Sequence, residues 1–292
     1  MASIPTFTLP SGDQLPGLGL GTWLSSPGQV TNAVAVALKA GYPLIDTAAI
    51  YGNEKEVGDG IKLSAVPRSS IWVTTKLWND AHSPEQVAPA LEKSLSDLGL
   101  DYVDLYLMHY PAATESGPGG KVLDIPYTDT WAAMEKLVES GKARNIGISN
   151  FSKAEVETLL KSAKIKPAVH QFERHPYLPQ DEFVRLHKEV YGIHVTSYSP
   201  LGNTNPSYAA GDVLPPLTSD PVICALAAKY NATPAQILIS LQLTQGLSVV
   251  PKSVTPARIL DNFKYIPLTD EDLKAIAGIT GRKRYADFSE VM

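Results

Sequence analysis

The chain is poor in cysteine, in positive charge and in long apolar runs. One of its 292 residues is cysteine, Cys224, in the apolar stretch PVICALAA. A single cysteine excludes an intrachain disulfide framework and a zinc–thiolate cluster. In that setting it reads as a small buried core residue rather than a reactive thiol. Acidic residues outnumber basic ones, 30 to 25, for a formal net charge of −5. Binding to a phosphate backbone needs a basic face, so nucleic acid is not an expected partner. No stretch is long and apolar enough to span a bilayer. The opening MASIPTFTLP has no basic segment leading into an apolar run, as a secretory signal would. The expectation is a soluble cytoplasmic protein with no membrane partner.

Three signatures of site chemistry are missing as well. GLGLGTW (17–23) has three glycines at alternate positions. A dinucleotide-binding G-x-G-x-x-G needs glycine at its sixth position, and that position holds Thr22 counting from Gly17, or Leu24 counting from Gly19. The glycines read instead as a strand packed tightly inside a barrel and turning at its mouth, which puts Thr22 and Trp23 at that mouth. There is no G-x-S-x-G turn for a serine nucleophile. His109 has no evident ligating partners for a hydrolytic metal.

What is present is an alternation of short apolar runs and longer amphipathic ones. GLGL (17–20) leads to VTNAVAVALKAG, PLID (43–46) to KEVGDGIKL, and IWVTTK (71–76) to SPEQVAPALEKSLSDLG. YVDLYLMH (102–109) leads to WAAMEKLVESG, NIGISN (145–150) to a helix opened by Ser152, and AVHQFE (168–173) to DEFVRLHKEVYG. IHVTSYS (193–199) and LSVVPK (247–252) lead to PVICALAAKY and TPARILDNF. Ser83 with Gln86, Ser152 with Glu155 and Thr233 with Gln236 have capping-box spacing. Residues 233–246 then read as an extra helix before the last strand, and TFTLPSGDQLP (6–16) as a hairpin.

Eight strand–helix units in a chain of this length predict an α/β fold, a single (α/β)8 TIM barrel over residues 1–292. An N-terminal β-hairpin precedes it. Two long segments rich in Pro, Gly, Ser and Thr, 111–130 and 201–220, follow strand ends. Both are expected over the C-terminal barrel face.

Chemistry on this fold gathers at the carboxyl ends of the strands. Those ends carry Asp46 with Tyr51 close behind, Lys76 then Trp78, His109 then Tyr110, and Ser149–Asn150. The later strands end at Gln171 and Glu173, at Tyr198 and at Lys252. Taken singly, each polar residue has a structural explanation. Together, Asp, Lys, His and Tyr converge from three neighbouring units as an acid–base set. A free phenol titrates near 10, and a neighbouring ammonium is expected to pull that value down. Asp46 can hold Lys76 charged and in place, and a neutral His109 can donate a hydrogen bond to a carbonyl oxygen. The set suits protonating an oxygen that gains negative charge as hydride attacks its carbon. No side chain supplies hydride, so a nicotinamide cofactor is implied.

The chain resembles the aldo-keto reductase family over essentially its whole length. The likeness is carried by LIDTAAIYGNE (44–54), WVTTKLWND (72–80), DYVDLYLMHYP (101–111), NIGISNF (145–151), HQFERHPYLPQ (170–180), YSPLG (198–202) and PKSVTPARILDN (251–262). The resemblance implies an NADPH-dependent barrel enzyme that reduces small-molecule aldehydes and ketones. It implies Tyr51 as proton donor, Lys76 as the group that lowers its pKa, Asp46 as partner of Lys76, and His109 as the residue orienting the carbonyl. Ser149, Asn150 and Gln171 match the positions that hold the carboxamide, and Tyr198 matches the ring on which the nicotinamide stacks. Gly21, Thr22, Trp23, Ser199, Pro200, Leu201, Ser253, Val254 and Asn262 complete the implied cofactor contacts. Lys252 and Arg258 would grip the 2′-phosphate of NADPH at a helix start.

Trp23, Tyr51, Trp78, His109 and Tyr110 would line the substrate pocket, beside the two long loops and the C-terminal tail. His170, Asp261 and Tyr110 stand where the family commonly has Asn, Glu and Trp. Two other readings fit the residues: a cofactor-sensing subunit on the same barrel, and a lyase using Lys76 as a Schiff-base amine. A monomer or weak dimer is expected.

Overall fold

The computed structural model describes residues 2–26, 28–117, 120–202 and 214–286. An antiparallel hairpin opens the chain, β1 (Thr6–Thr8) pairing with β2 (Gln14–Pro16). Its turn passes through Gly12 at φ +92°. The barrel strands follow in sequence: β3 (Gly19–Gly21), β4 (Leu44–Asp46), β5 (Trp72–Leu77) and β6 (Val103–Met108). A small hairpin, β7 (Ala113–Thr114) with β8 (Val122–Leu123), intervenes. Then come β9 (Ala143–Ser149), β10 (Val169–Glu173), β11 (His194–Tyr198) and β12 (Ser248–Val249).

The eight barrel strands pair in parallel in the order β3-β4-β5-β6-β9-β10-β11-β12. The sheet closes on itself. Parallel bridges join Leu18 to Val249 and Gly21 to Lys252, and the Gly21 N–H donates to the Pro251 carbonyl at 3.0 Å. This seam explains GLGLGTW. A Cβ on Gly19 would lie 2.1 Å from Leu44 Cδ2, and one on Gly21 would lie 2.9 Å from the Val250 carbonyl oxygen. A side chain can shift, but the carbonyl can move only by opening the seam. Gly21→Ala should therefore cost about 1–3 kcal/mol of stability, the usual penalty of overpacking. A urea titration would read this as a lower midpoint with unchanged slope.

Helices cover the strands as α1 (Val30–Lys39), α2 (Glu54–Ser64), α3 (Pro84–Leu98), α4 (Tyr127–Glu139), α5 (Lys153–Leu159) and α6 (Asp181–Leu186). A π-type turn, His187–Tyr191, extends α6. After them come α7 (Pro221–Lys229), α8 (Pro234–Thr244), α9 (Pro256–Asn262) and α10 (Asp270–Ala277). Their apolar faces meet the strands in one layer that includes Val34, Leu91, Trp131, Ile146, Ile239 and Val249. Inside the barrel, Leu9 and Leu15 of the hairpin pack with Leu44, Trp72, Leu105 and Leu107. The hairpin thus plugs the amino-terminal end and leaves the carboxyl ends open.

The structure corrects several expectations. The helix in the barrel layer before β12 is α8, whose Ile239 and Leu243 join the main core. The outlying helix is α7, whose Ile223, Leu226 and Ala227 reach only a second cluster, shared with α10 and with Ile237, Leu238 and Leu241 on another face of α8. Both helices are apolar in sequence, so burial could not be ranked from composition. Cys224 is exposed for the same reason, because α7 buries only one face. The capping boxes at Ser152 and Thr233 form, but Ser83 makes no side-chain cap. Its carbonyl accepts the Gln86 N–H instead, at 2.8 Å. A third capping box, Thr269 with Asp272, opens α10, which was not anticipated.

Candidate active site

The open end of the barrel is where the four ionisable residues meet. Asp46 closes β4, and a single 3₁₀ turn, Ala49–Tyr51, brings Tyr51 back over it. Lys76 is next to last in β5, and His109 follows β6. Parallel register sets Asp46 opposite Thr74 and Lys76 opposite Leu107. Thr74 and Lys76 lie two residues apart and so share a strand face, which directs Lys76 at Asp46.

Lys76 is fully buried. Its Nζ donates to Asp46 Oδ1 at 2.6 Å, to the Thr47 carbonyl at 2.8 Å and to the Tyr51 hydroxyl at 3.4 Å. Three acceptors use the three protons of an ammonium. Asp46 Oδ2 accepts from Gln171 Nε2 at 2.7 Å, so the carboxylate is tied on both oxygens. The His109 ring lies 5.8 Å from the Tyr51 ring and 5.2 Å from Trp78, and stacks on Tyr110 at 5.3 Å.

The electrostatics differ from the expectation in one respect. Burial and then the Asp46 carboxylate hold the Tyr51 phenol well above its ordinary pKa, not below it. Asp46, in contact with Lys76, offsets the ammonium's field at the phenol, and a phenolate there would be poorly solvated. Burial lowers the Lys76 pKa, with Asp46 opposing that shift. Burial, and then the charge of Lys76 and the nearby His82, keep His109 well below its usual value. The resting site therefore presents a neutral phenol and a neutral imidazole in front of a buried ammonium–carboxylate pair.

His109 belongs to a wider set. Burial lowers His82 to about 4 and His194 to about 3, and also lowers His170 and His187. A base whose folded-state pKa is depressed takes up a proton on unfolding. Its contribution to stability is complete above the unfolded value near 6.5 and is lost as pH falls toward the folded one. Each such histidine steepens acid destabilisation by up to roughly 1.4 kcal/mol per pH unit. Urea midpoints should be flat from pH 8 to 7 and fall sharply between pH 6.5 and 4.

A cleft of about 1100 Å³ runs from this set across the barrel mouth to α9. Gly21, Thr22, Trp23, Asp46, Tyr51, Trp78, His109, Tyr110, Ser149, Asn150, Gln171 and Tyr198 line it, as do Ser199, Pro200, Leu201, Lys252, Ser253, Arg258 and Asn262. Two expected residues do not. Val254 packs against the core, and Lys76 lies beneath Tyr51 and Asp46. Asn150 sits at φ +62°, a conformation asparagine tolerates better than most residues. It donates to the His109 carbonyl and to Ser149 Oγ, both at 3.0 Å, and accepts from the Tyr198 hydroxyl at 2.8 Å. Leu24 and Ser199, two more left-handed residues, also line the cleft.

Some lining residues were not anticipated, among them Leu24, Ile50, Asn79, Pro234 and Ala235, whereas Leu201, Gly202 and Thr218 of the 201–220 segment and Ala286 of the C-terminal tail form expected walls. None of the described residues of 111–130 lines the cleft, where a loop over the mouth was expected. That segment holds the β7–β8 hairpin and the start of α4. Of the other expected walls, 203–213 and 287–292 lie outside the described residues. His170 turns away from the cleft. Its Nε2 accepts the Phe151 N–H at 3.1 Å and its Nδ1 meets His187 Nε2 at 2.7 Å. Asp261 lines the cleft and is paired with Lys264 at 3.0 Å.

The family model for the aldo/keto reductases matches residues 17–280. The chain belongs to this family. It is 53% identical over 296 residues to an uncharacterized oxidoreductase of Schizosaccharomyces pombe, covering 97% of this chain and 91% of that one. It is 45% identical to human aldo-keto reductase family 1 member A1 over 293 residues, covering 95% and 90%. Among solved structures, the Bombyx mori aldo-keto reductase in complex with NADP aligns with a TM-score of 0.92 at 38% identity, over 99% of this chain and 97% of that one. The Schistosoma japonicum aldose reductase aligns at 0.90 and 35%, covering 98% and 96%. This aldo-keto reductase is thus an oxidoreductase on an (α/β)8 barrel whose open end carries the cleft.

Proposed function

We propose that this reductase uses NADPH to convert small-molecule aldehydes and ketones to alcohols, reversibly, with Tyr51 as proton donor. One observation carries the reading. The Tyr51 hydroxyl lies 3.4 Å from the buried Lys76 ammonium, at one end of a cleft whose other end holds Lys252 and Arg258. The cleft exceeds the usual range for a small ligand, about 300–1,000 Å³, and has a polar end at Ser149, Asn150 and Gln171 and a cationic end at α9. These features fit an elongated anionic dinucleotide. Bound NADPH would supply the hydride that the carbonyl carbon receives.

The chain's own residues do the rest. A neutral His109 donates one hydrogen bond to the carbonyl oxygen and orients it. Tyr51 gives that oxygen its proton as negative charge builds there. Lys76, held by Asp46 and the Thr47 carbonyl, favours the phenolate that remains. Its effect thus belongs to the proton-transfer step, while the resting phenol stays protonated. Asn150 and Gln171 present amide groups to the cleft, and the Tyr198 ring forms part of its wall. Trp23, Trp78 and Tyr110 exclude water around the carbonyl.

The Schiff-base alternative finds no support in the geometry. Lys76 is absent from the cleft wall and all three of its protons are engaged. The proposal extends to cytoplasmic residence and to action as a monomer or weak dimer. Loss of NADPH absorbance against a panel of aldehydes, ketones and sugars tests the reaction. Turnover of some members supports it. Binding of NADPH without turnover of any would favour a cofactor-sensing role.

A further inference from the structure

Glu173 is a buried carboxylate that the proposed reaction does not use. It ends β10 two residues beyond Gln171, on the same strand face, and is in register with Tyr198 of β11. It is completely inaccessible to solvent. An ionised carboxylate in such a place is costly unless its oxygens are well hydrogen-bonded. Its partners come chiefly from the far end of the chain. Oε1 accepts the Tyr285 N–H at 2.7 Å and His175 Nε2 at 2.7 Å, and Oε2 accepts the Ala286 N–H at 2.8 Å. Burial pushes the carboxyl up, but His175 and the two backbone N–H groups outweigh it, so the group stays ionised.

Glu173 supplies the side-chain acceptors for the last two backbone N–H groups of the segment 280–286, while the buried Tyr285 ring packs in the cluster of Tyr177, Leu217 and Ile279. Residues 280–286 follow α10 with no helix or strand of their own. The Lys283 N–H reaches the Tyr177 carbonyl at 3.0 Å, and the Tyr285 ring packs 5.1 Å from that of His175. Ala286 is part of the cleft wall. Tyr285 also abuts the loop after β11, where a Cβ on Gly202 would lie 3.0 Å from its ring. The carboxylate therefore joins the barrel rim beside Tyr198 to the C-terminal wall of the cleft.

We propose that Glu173 is a positioning residue that clasps residues 285–286 to the barrel and thereby sets the enzyme's selectivity between bulky and small carbonyl substrates. The proposal rests on the carbonyl-reductase reading for its substrates, though the clasp itself does not. A carboxylate offers acceptors only, which matches three N–H donors. Glutamine is nearly isosteric but turns an NH₂ toward at least one of them. A small aldehyde held at His109 and Tyr51 need not reach the Ala286 wall, whereas a bulky aryl aldehyde must.

Glu173→Gln is the test, made on the full chain. Amide exchange at Tyr285 and Ala286 should quicken at least tenfold. Selectivity for a bulky aryl over a short aliphatic aldehyde, as a ratio of kcat/KM, should fall about tenfold through KM. The Kd for NADPH and kcat with the short aldehyde should stay within about threefold. Ala286→Pro removes the N–H that reaches Oε2, and keeps the test available should the first variant fold poorly. Combined with Glu173→Gln, it should give less than the product of the two separate effects. Unchanged exchange overturns the clasp, whether or not the wild type turns over. Faster exchange with an unchanged selectivity ratio, or an equal loss for both aldehydes together with NADPH affinity, overturns the selectivity role. A wild type inactive on every carbonyl would sink the reductase reading instead, and exchange would still decide the clasp.

Discussion

Tyr51→Phe should lower kcat/KM for carbonyl reduction by about 10²–10⁴-fold, the span ascribed to general acid catalysis, while NADPH binding stays intact. The substitution deletes one oxygen and leaves the ring edge against His109. Lys76 keeps its contacts to Asp46 Oδ1 and the Thr47 carbonyl, so the buried ion pair survives. Loss of activity can then be assigned to the missing proton. Single-turnover absorbance with saturating NADPH separates chemistry from binding, and fluorescence quenching gives the Kd. Removing Lys76 instead would strand Asp46, a buried carboxylate without its cation, at a cost of roughly 3–5 kcal/mol of stability. Tyrosine is therefore the cleaner probe.

The raised phenol pKa adds a signature, because the protonated form persists to higher pH than in free tyrosine. The reduction rate should show no loss from phenol ionisation up to pH 10. A wild-type activity that falls away between pH 7 and 8 through deprotonation of Tyr51, or full activity in the Phe variant, would remove Tyr51 from the role.

The sequence disclosed the catalytic set more fully than its environment. Asp46, Lys76 and His109 could be found because each ends a recognisable apolar strand, and the fold collects strand ends at one mouth. Lys252 and Arg258 were legible because a lysine and an arginine flank a Thr-Pro helix start. The sign of the Tyr51 shift was not legible. It depends on how closely Asp46 approaches Lys76 and how dry the site is, and both are products of packing. The ranks of α7 and α8 were hidden for a related reason: with apolar residues on every side, neither helix marks the face it will bury. Glu173 read as one more polar strand end, because its partners lie 112 and 113 positions away. Leu24 entered the cleft through left-handed backbone, which residue type alone does not announce. His170 is the opposite case. It stands beside Gln171 in sequence, at a position where the family commonly has Asn, but strand alternation sends it outward to His187.

Lys252→Ala combined with Arg258→Ala should weaken NADPH binding by about 10²-fold or more and NADH binding by less than about threefold, since hydrogen bonds to charged groups are worth about 1.5–3 kcal/mol each and 1.4 kcal/mol is tenfold. Both residues line the cleft at its α9 end and are exposed, which argues for the lower part of that range. Asp261, the neighbouring carboxylate, is ion-paired with Lys264, so its charge is partly offset. Arg258 offers a rigid fork of donors suited to phosphate oxygens. The 2′-hydroxyl of NADH offers no such charge. Lys252 has a second task, since its Nζ donates to the Leu24 carbonyl at 2.9 Å across the barrel seam. Loosening that strap would weaken both cofactors alike, so the ratio of the two dissociation constants, not either alone, reports the phosphate contact. Arg258→Ala by itself leaves the strap in place and should carry much of the discrimination. The ratio should also shrink as salt rises, because an exposed charge pair is screened. Equal losses for NADPH and NADH in the double variant, or a ratio indifferent to salt, would refute the assignment of α9 to the 2′-phosphate.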